Sequence, residues 1–145
     1  ILDLMDKKLP AKACGYSMTM GLEIAEAYEF LGRVANRPEL QAKGTEVLQG
    51  ETLRFAQYAR YYQSLSPSYA NRLTRYDAYI RDNLFPVLCG TLKAFNVNTF
   101  NKTMQEITAM GVVMDGYIPS INYIYDERMG KPKQPAEQND TTAAE

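Results

Sequence analysis

Between Arg54 and Arg81 the chain places six tyrosines, Tyr58, Tyr61, Tyr62, Tyr69, Tyr76 and Tyr79, among five arginines, Arg54, Arg60, Arg72, Arg75 and Arg81. Phenol rings and guanidinium planes concentrate binding energy at protein interfaces, and lined along a groove they also make platforms for single-stranded nucleic acid. The plainer alternative is amphipathic packing, with rings turned inward and hydroxyls at the rim. Helical spacing separates these uses in part. Arg54, Tyr58, Tyr61 and Arg72 fall outside the stripes formed by Phe55, Ala59 and Tyr62 and by Leu73, Tyr76 and Ile80, so these four are the candidate partner-binding residues.

Two other groupings carry chemistry-bearing side chains. Glu23, Glu26 and Glu29 follow one another at three-residue steps, so neighbours share a helix face as the carboxylates of di-iron bundles do. Those centres also need histidine, and the chain has none, so a solvated acidic face is expected and no metal is assigned. Cys14 and Cys89 are the only cysteines, with no CxxC spacing. A bridge between them would tie the N-terminal segment to the rest and mark an oxidising compartment; two buried thiols are the alternative.

The missing histidine also removes the commonest general base and zinc ligand. The chain therefore reads as non-catalytic, with no cofactor. Sixteen Lys and Arg against 17 Asp and Glu give a net charge of -1, which offers no bulk attraction to nucleic acid or to anionic lipid. A larger protein assembly is the expected partner. No run of apolar residues is long enough for a transmembrane helix. The chain opens on Ile1 without a leader pattern, so any targeting peptide is expected to have been removed or to lie outside this sequence.

The elements that must position these residues follow from apolar steps of three and four. Met20, Ile24, Ala27, Leu31 and Val34 predict a first helix from Ser17 to just before Pro38. Leu48, Thr52, Phe55, Ala59 and Tyr62 predict a second from about Glu39, weakened in its first half by Gly44 and Gly50. Ser66 and Pro67 start a third, whose inner face is Tyr69, Leu73, Tyr76, Ile80, Leu84, Val87 and Leu88, kinked between Asp82 and Pro86 and closing at Asn96.

The most regular stripe is Phe100, Met104, Ile107, Gly111, Met114, Ile118 and Ile121, which predicts a fourth helix over 98–118, capped by Asn98 or Thr99 and stopped by Pro119. One or two further turns follow over 120–129, and Gly130 closes them. Each helix has one stripe to bury, so the expected fold is all-α, an up-down-up-down four-helix bundle over 16–129. Residues 1–15 read as an N-terminal arm and 130–145 as a flexible, proline-containing tail.

The segments LKAFNVNTFNKTMQEITAMGVVMDGYI, Leu92 to Ile118, and RYDAYIRDNL, Arg75 to Leu84, resemble the PsbQ-like extrinsic subunits of photosystem II. The likeness lies in an apolar helix end, a short polar joint and a helix closing on acidic and aromatic residues. It implies a four-helix bundle in the thylakoid lumen that docks, without catalysis or cofactor, on the aqueous side of a membrane complex. Plant members of that family carry a long proline-rich N-terminal arm, whereas about 15 residues precede the first helix here. The rival expectation is an extracytoplasmic bundle that senses or binds a small ligand, held between helices by arginines.

Overall fold

The computed structural model describes residues 18–130. About 80% of these are helical and none lies in a strand, so the all-α expectation holds. The arm at 1–15, Cys14 and all of the tail after Gly130 lie outside the described residues.

Helix α1 runs Met20–Val34 and α2 Pro38–Ser64. Between them Asn36 takes a left-handed φ of 53°, while the amides of Asn36 and Arg37 donate to the carbonyls of Arg33 and Gly32. This paired closure satisfies carbonyls that the ladder leaves open, and Pro38 then starts α2 with its φ already set. Gly44 and Gly50 do not interrupt α2, which is continuous over 27 residues. At Gly44 the reason is contact: a Cβ there would lie 2.7 Å from the Ala25 carbonyl oxygen and 3.0 Å from the Glu29 nitrogen.

That contact also corrects the face expected for α1. Its buried residues are Gly21, Ala25, Tyr28 and Gly32, one step round from the apolar stripe. Met20, Ile24, Ala27 and Leu31 are half-buried flanks, and Val34 is exposed. Ala25 and Gly32 let α1 and α2 approach closely, and Tyr28 is the large side chain of α1 buried beside them.

The third helix is not one rod. Pro67–Ala70 forms a single turn, α3, and the chain breaks at Asn71 to Leu73 before α4, Arg75–Tyr79. Thr74 causes the restart: its hydroxyl oxygen accepts from the Asp77 amide at 3.1 Å, and the Thr74 amide donates to the Asp77 carboxylate at 3.2 Å. This reciprocal capping box nucleates a new helix. As a result Tyr69 and Tyr76, expected inside, are exposed.

Ile80–Leu84 then forms a π turn leading into α5, Phe85–Phe95. The irregularity falls where a kink is predicted, because Pro86 has no N–H to give the ladder and the widened turn absorbs the loss. Helix α6, Val97–Ala109, is capped by Asn96, whose side-chain oxygen accepts from the Thr99 amide at 2.9 Å; the expected caps Asn98 and Thr99 lie within the helix.

The fourth stripe is likewise divided. Helix α6 ends at Ala109 and is closed by Gly111 (φ 98°), whose amide donates to the Thr108 carbonyl, while the Val112 amide donates to that of Ile107. Only glycine adopts that conformation without steric cost. The chain loops to α7, Ile118–Arg128, where Pro119 opens a helix in place of ending one. Phe100, Ile107, Met114 and Ile121 are buried as expected, but Gly111 and Ile118 are exposed.

Helix α5 is the central element, packed against α2, α6 and α7. Its Leu88, Cys89 and Leu92 are fully buried with Leu84 and Phe85, Ile107 and Ile121.

Candidate functional site

The second half of α2 projects an aromatic ridge. Tyr58 and Tyr61 are 41% and 58% exposed, whereas Tyr62, one residue on, is 7% exposed and belongs to the core. A helix turns about 100° per residue, so consecutive tyrosines serve opposite purposes. Concavities flank Tyr61 on both sides. One, of about 600 Å³, is lined by Arg54, Gln57, Tyr58, Tyr61, Tyr62 and Asp77. The other, of about 580 Å³, is lined by Gln57, Arg60, Tyr61, Ser64 and Met110.

Arg54 is held from below. Its Nε and Nη2 donate to the Glu51 carboxylate at 3.1 and 2.9 Å, and its guanidinium lies 4.5 Å from the centroid of the Phe55 ring. Glu51 is itself buried, at 7% exposure, and occupies the space left by Gly21: a Cβ on that glycine would lie 2.2 Å from the Glu51 Cδ. A glycine on α1 thus sets the height of an arginine at the rim. The bidentate geometry matches the planar guanidinium to the carboxylate and orders both.

The opposite wall is set by Asp77. The Tyr62 hydroxyl donates to one carboxylate oxygen at 2.8 Å; the Thr74 hydroxyl and amide donate to the other at 2.7 and 3.2 Å. These bonds hold the Asp77 carboxyl below the usual range, the Thr74 hydroxyl first and Tyr62 next. Burial, followed by the Asp77 bond, pushes the Tyr62 phenol up. At neutral pH the pair is therefore a phenol donating to a carboxylate.

Of the four candidate partner-binding residues, Arg54, Tyr58 and Tyr61 meet at this concavity. Arg72 stands apart, just after α3, with its guanidinium 5.7 Å from the Tyr69 ring centroid. Sequence reasoning missed Asp77 and Gln63. Thr74 and Asp77 at three-residue spacing were the available signal for the first. Gln63 had none: its side chain exchanges two 2.9 Å hydrogen bonds with the backbone of Val113, a contact across 50 residues that ties the loop after α6 to α2.

The other groupings disperse. Glu23 accepts from Thr19, Glu29 pairs with Arg33 at 3.1 Å and Glu26 pairs with Arg128 on α7. Cys89 is buried in the core and unbridged among the described residues, and burial pushes its thiol up, away from the reactive thiolate. Its proposed partner Cys14 lies outside the described residues. Among the described residues no helix is long and apolar enough to cross a membrane.

No protein-family model, no curated protein and no solved structure matches this chain.

Proposed function

We propose that this protein is a non-catalytic helical subunit that docks on a larger protein assembly through the tyrosine ridge of α2. One observation carries the reading: Tyr58 and Tyr61 are exposed side by side, with concave, partly polar ground on either flank. Exposed aromatic anchors beside a structured arginine are the composition of interface hot spots, whereas scattered single rings need no such explanation. In this reading α1, α2, the α4 and α5 rod and α6 are the four strokes of an up-down-up-down bundle, with α7 laid over α5.

The finer attribution, an extrinsic subunit on the lumenal face of photosystem II, draws on the Leu92 to Ile118 and Arg75 to Leu84 segments alone. The polar joint of the first falls at Asn96, between α5 and α6. A bundle that binds a small ligand is the second reading. It is favoured by the 600 Å³ concavity, a size within the span of small-molecule pockets, roughly 300–1,000 Å³.

The test is co-purification of the native complex with Tyr58→Ala/Tyr61→Ala and Tyr61→Ala/Arg72→Ala variants, each beside a circular dichroism control. The first double variant is expected to cost about 2 to 4 kcal/mol of binding with helicity intact. The second should cost less, since Arg72 does not line the concavity. Retention of both variants at the wild-type level overturns docking through this ridge.

A further inference from the structure

The concavity beside Tyr61 carries one carboxylate that has no ion-pair partner among the described residues. Arg54 and Glu51 neutralise one another through two hydrogen bonds, and Arg81, the next arginine along the chain from α4, is spent in the same way on Asp82 at 2.7 and 2.8 Å. Asp77 is different. Its three hydrogen bonds come from neutral donors, Tyr62 and Thr74, and among the described residues no cation lies within ion-pair distance of it. The carboxylate lies on the wall of a concavity whose other lining includes three phenol rings, those of Tyr58, Tyr61 and Tyr62. The rings of Tyr61 and Tyr62 stand edge to face with centroids 5.6 Å apart.

A fixed carboxylate beside several electron-rich rings recognises one chemistry. Each ring face carries negative potential and attracts a cation seated against it, the more strongly as water is excluded. An acidic ligand would meet Asp77 with like charge. A purely apolar one would strip water from the carboxylate without replacing it.

Resting on the docking reading, we propose that this concavity is the specificity pocket of the interface and that it takes the cationic end of a lysine or arginine side chain from the partner protein. The Asp77 carboxylate would face the ammonium or guanidinium group, and Tyr58 and Tyr61 would flank its alkyl stem. Arg54, on the same concavity, is held by its bidentate pair with the buried Glu51.

The test is a two-dimensional amide NMR titration of the isolated protein with N-acetyl-lysine methylamide, beside the norleucine and glutamate derivatives. The lysine probe is expected to shift amides over 57–62 and 74–77 with saturation, and the other two to leave them in place. Asp77→Asn should weaken the lysine probe about three- to tenfold, and Tyr58→Leu by a similar factor, with circular dichroism unchanged.

Equal shifts from norleucine, or wild-type affinity in Asp77→Asn, overturn the inference. Running Asp77→Asn in the co-purification assay separates it from the reading beneath. If the complex is lost with Tyr58→Ala/Tyr61→Ala yet kept with Asp77→Asn, the ridge docks and the cation pocket is refuted. If the lysine probe binds while every variant keeps the complex, the pocket stands and docking through this ridge fails.

Discussion

The two halves of the protein are held together by opposite means. Helices α1 and α2 meet through Ala25, Gly32 and Gly44, where backbone approaches backbone, while Gly21 makes room for the Glu51 side chain and Tyr28 is the large side chain buried among them. Around α5 the space is filled chiefly by large side chains, Leu84, Phe85, Leu88, Leu92, Ile107 and Ile121, with Gly90 letting α7 come close: a Cβ there would lie 2.7 Å from the Ile124 side chain and 3.0 Å from the Ile121 carbonyl oxygen. The first arrangement is intolerant of added volume and the second of removed volume. An apolar stripe therefore locates the buried face only in the second kind of packing. On α1 the same rule is one residue out, because Gly21, Ala25 and Gly32 share the buried face with Tyr28.

The sharpest way to break this contrast is a charge in the large-residue core. Ile107→Asp should destabilise the protein by about 3 to 5 kcal/mol or unfold it, since an unpaired carboxylate would replace a fully buried side chain. Thermal denaturation followed by circular dichroism measures it. Met104→Asp, half-buried, should cost less, and a larger loss there would show that the core extends further round the same face of α6.

The small-residue half is tested by adding one methyl group. Gly44→Ala should cost about 1 to 3 kcal/mol, because the Cβ meets backbone on α1 that cannot step aside. Gly50→Ala, on the same helix with nothing within 4 Å of its Cβ position, should gain up to about 1 kcal/mol from helix propensity. Chemical denaturation of the pair gives the difference; equal effects at the two positions would show that α1 does not press on α2.

The smallest effect concerns the joint between the halves. Asp77 is held below the ordinary aspartate value of 3.8, so its bonds to Thr74 and Tyr62 contribute stability that is present above that value and lost as pH falls through the lowered one. Hydrogen exchange at the amides of 75–79 should accelerate in that acid window in the wild type. Thr74→Ala should bring the opening to neutral pH, at a local cost of about 1 kcal/mol. Unchanged protection in Thr74→Ala would mean that tertiary contacts, not the capping box, hold α4.

Much of the candidate site was legible beforehand. Tyr58 and Tyr61 lie off the stripe of Phe55, Ala59 and Tyr62, and they are exposed as that geometry requires. Arg72 is exposed, as that spacing requires, yet stands apart from the concavity because the chain breaks at Asn71 to Leu73 where the pattern predicts a continuous helix from Pro67. The same break and the restart at the Thr74 capping box leave Tyr76, expected inside, exposed.

By itself the sequence determined that the described chain is helical, where most of its helices begin, and which face of α2 carries exposed rings, since periodicity, proline and turn chemistry act over a few residues. Tertiary structure alone decided that Gly44 binds two helices where it might have loosened one, that Gly111 divides the longest stripe, and that Asp77 arrives beside Tyr62. Each of these depends on atoms brought together from distant parts of the chain or on which of two locally allowed conformations the packed neighbours stabilise. Local pattern contains neither.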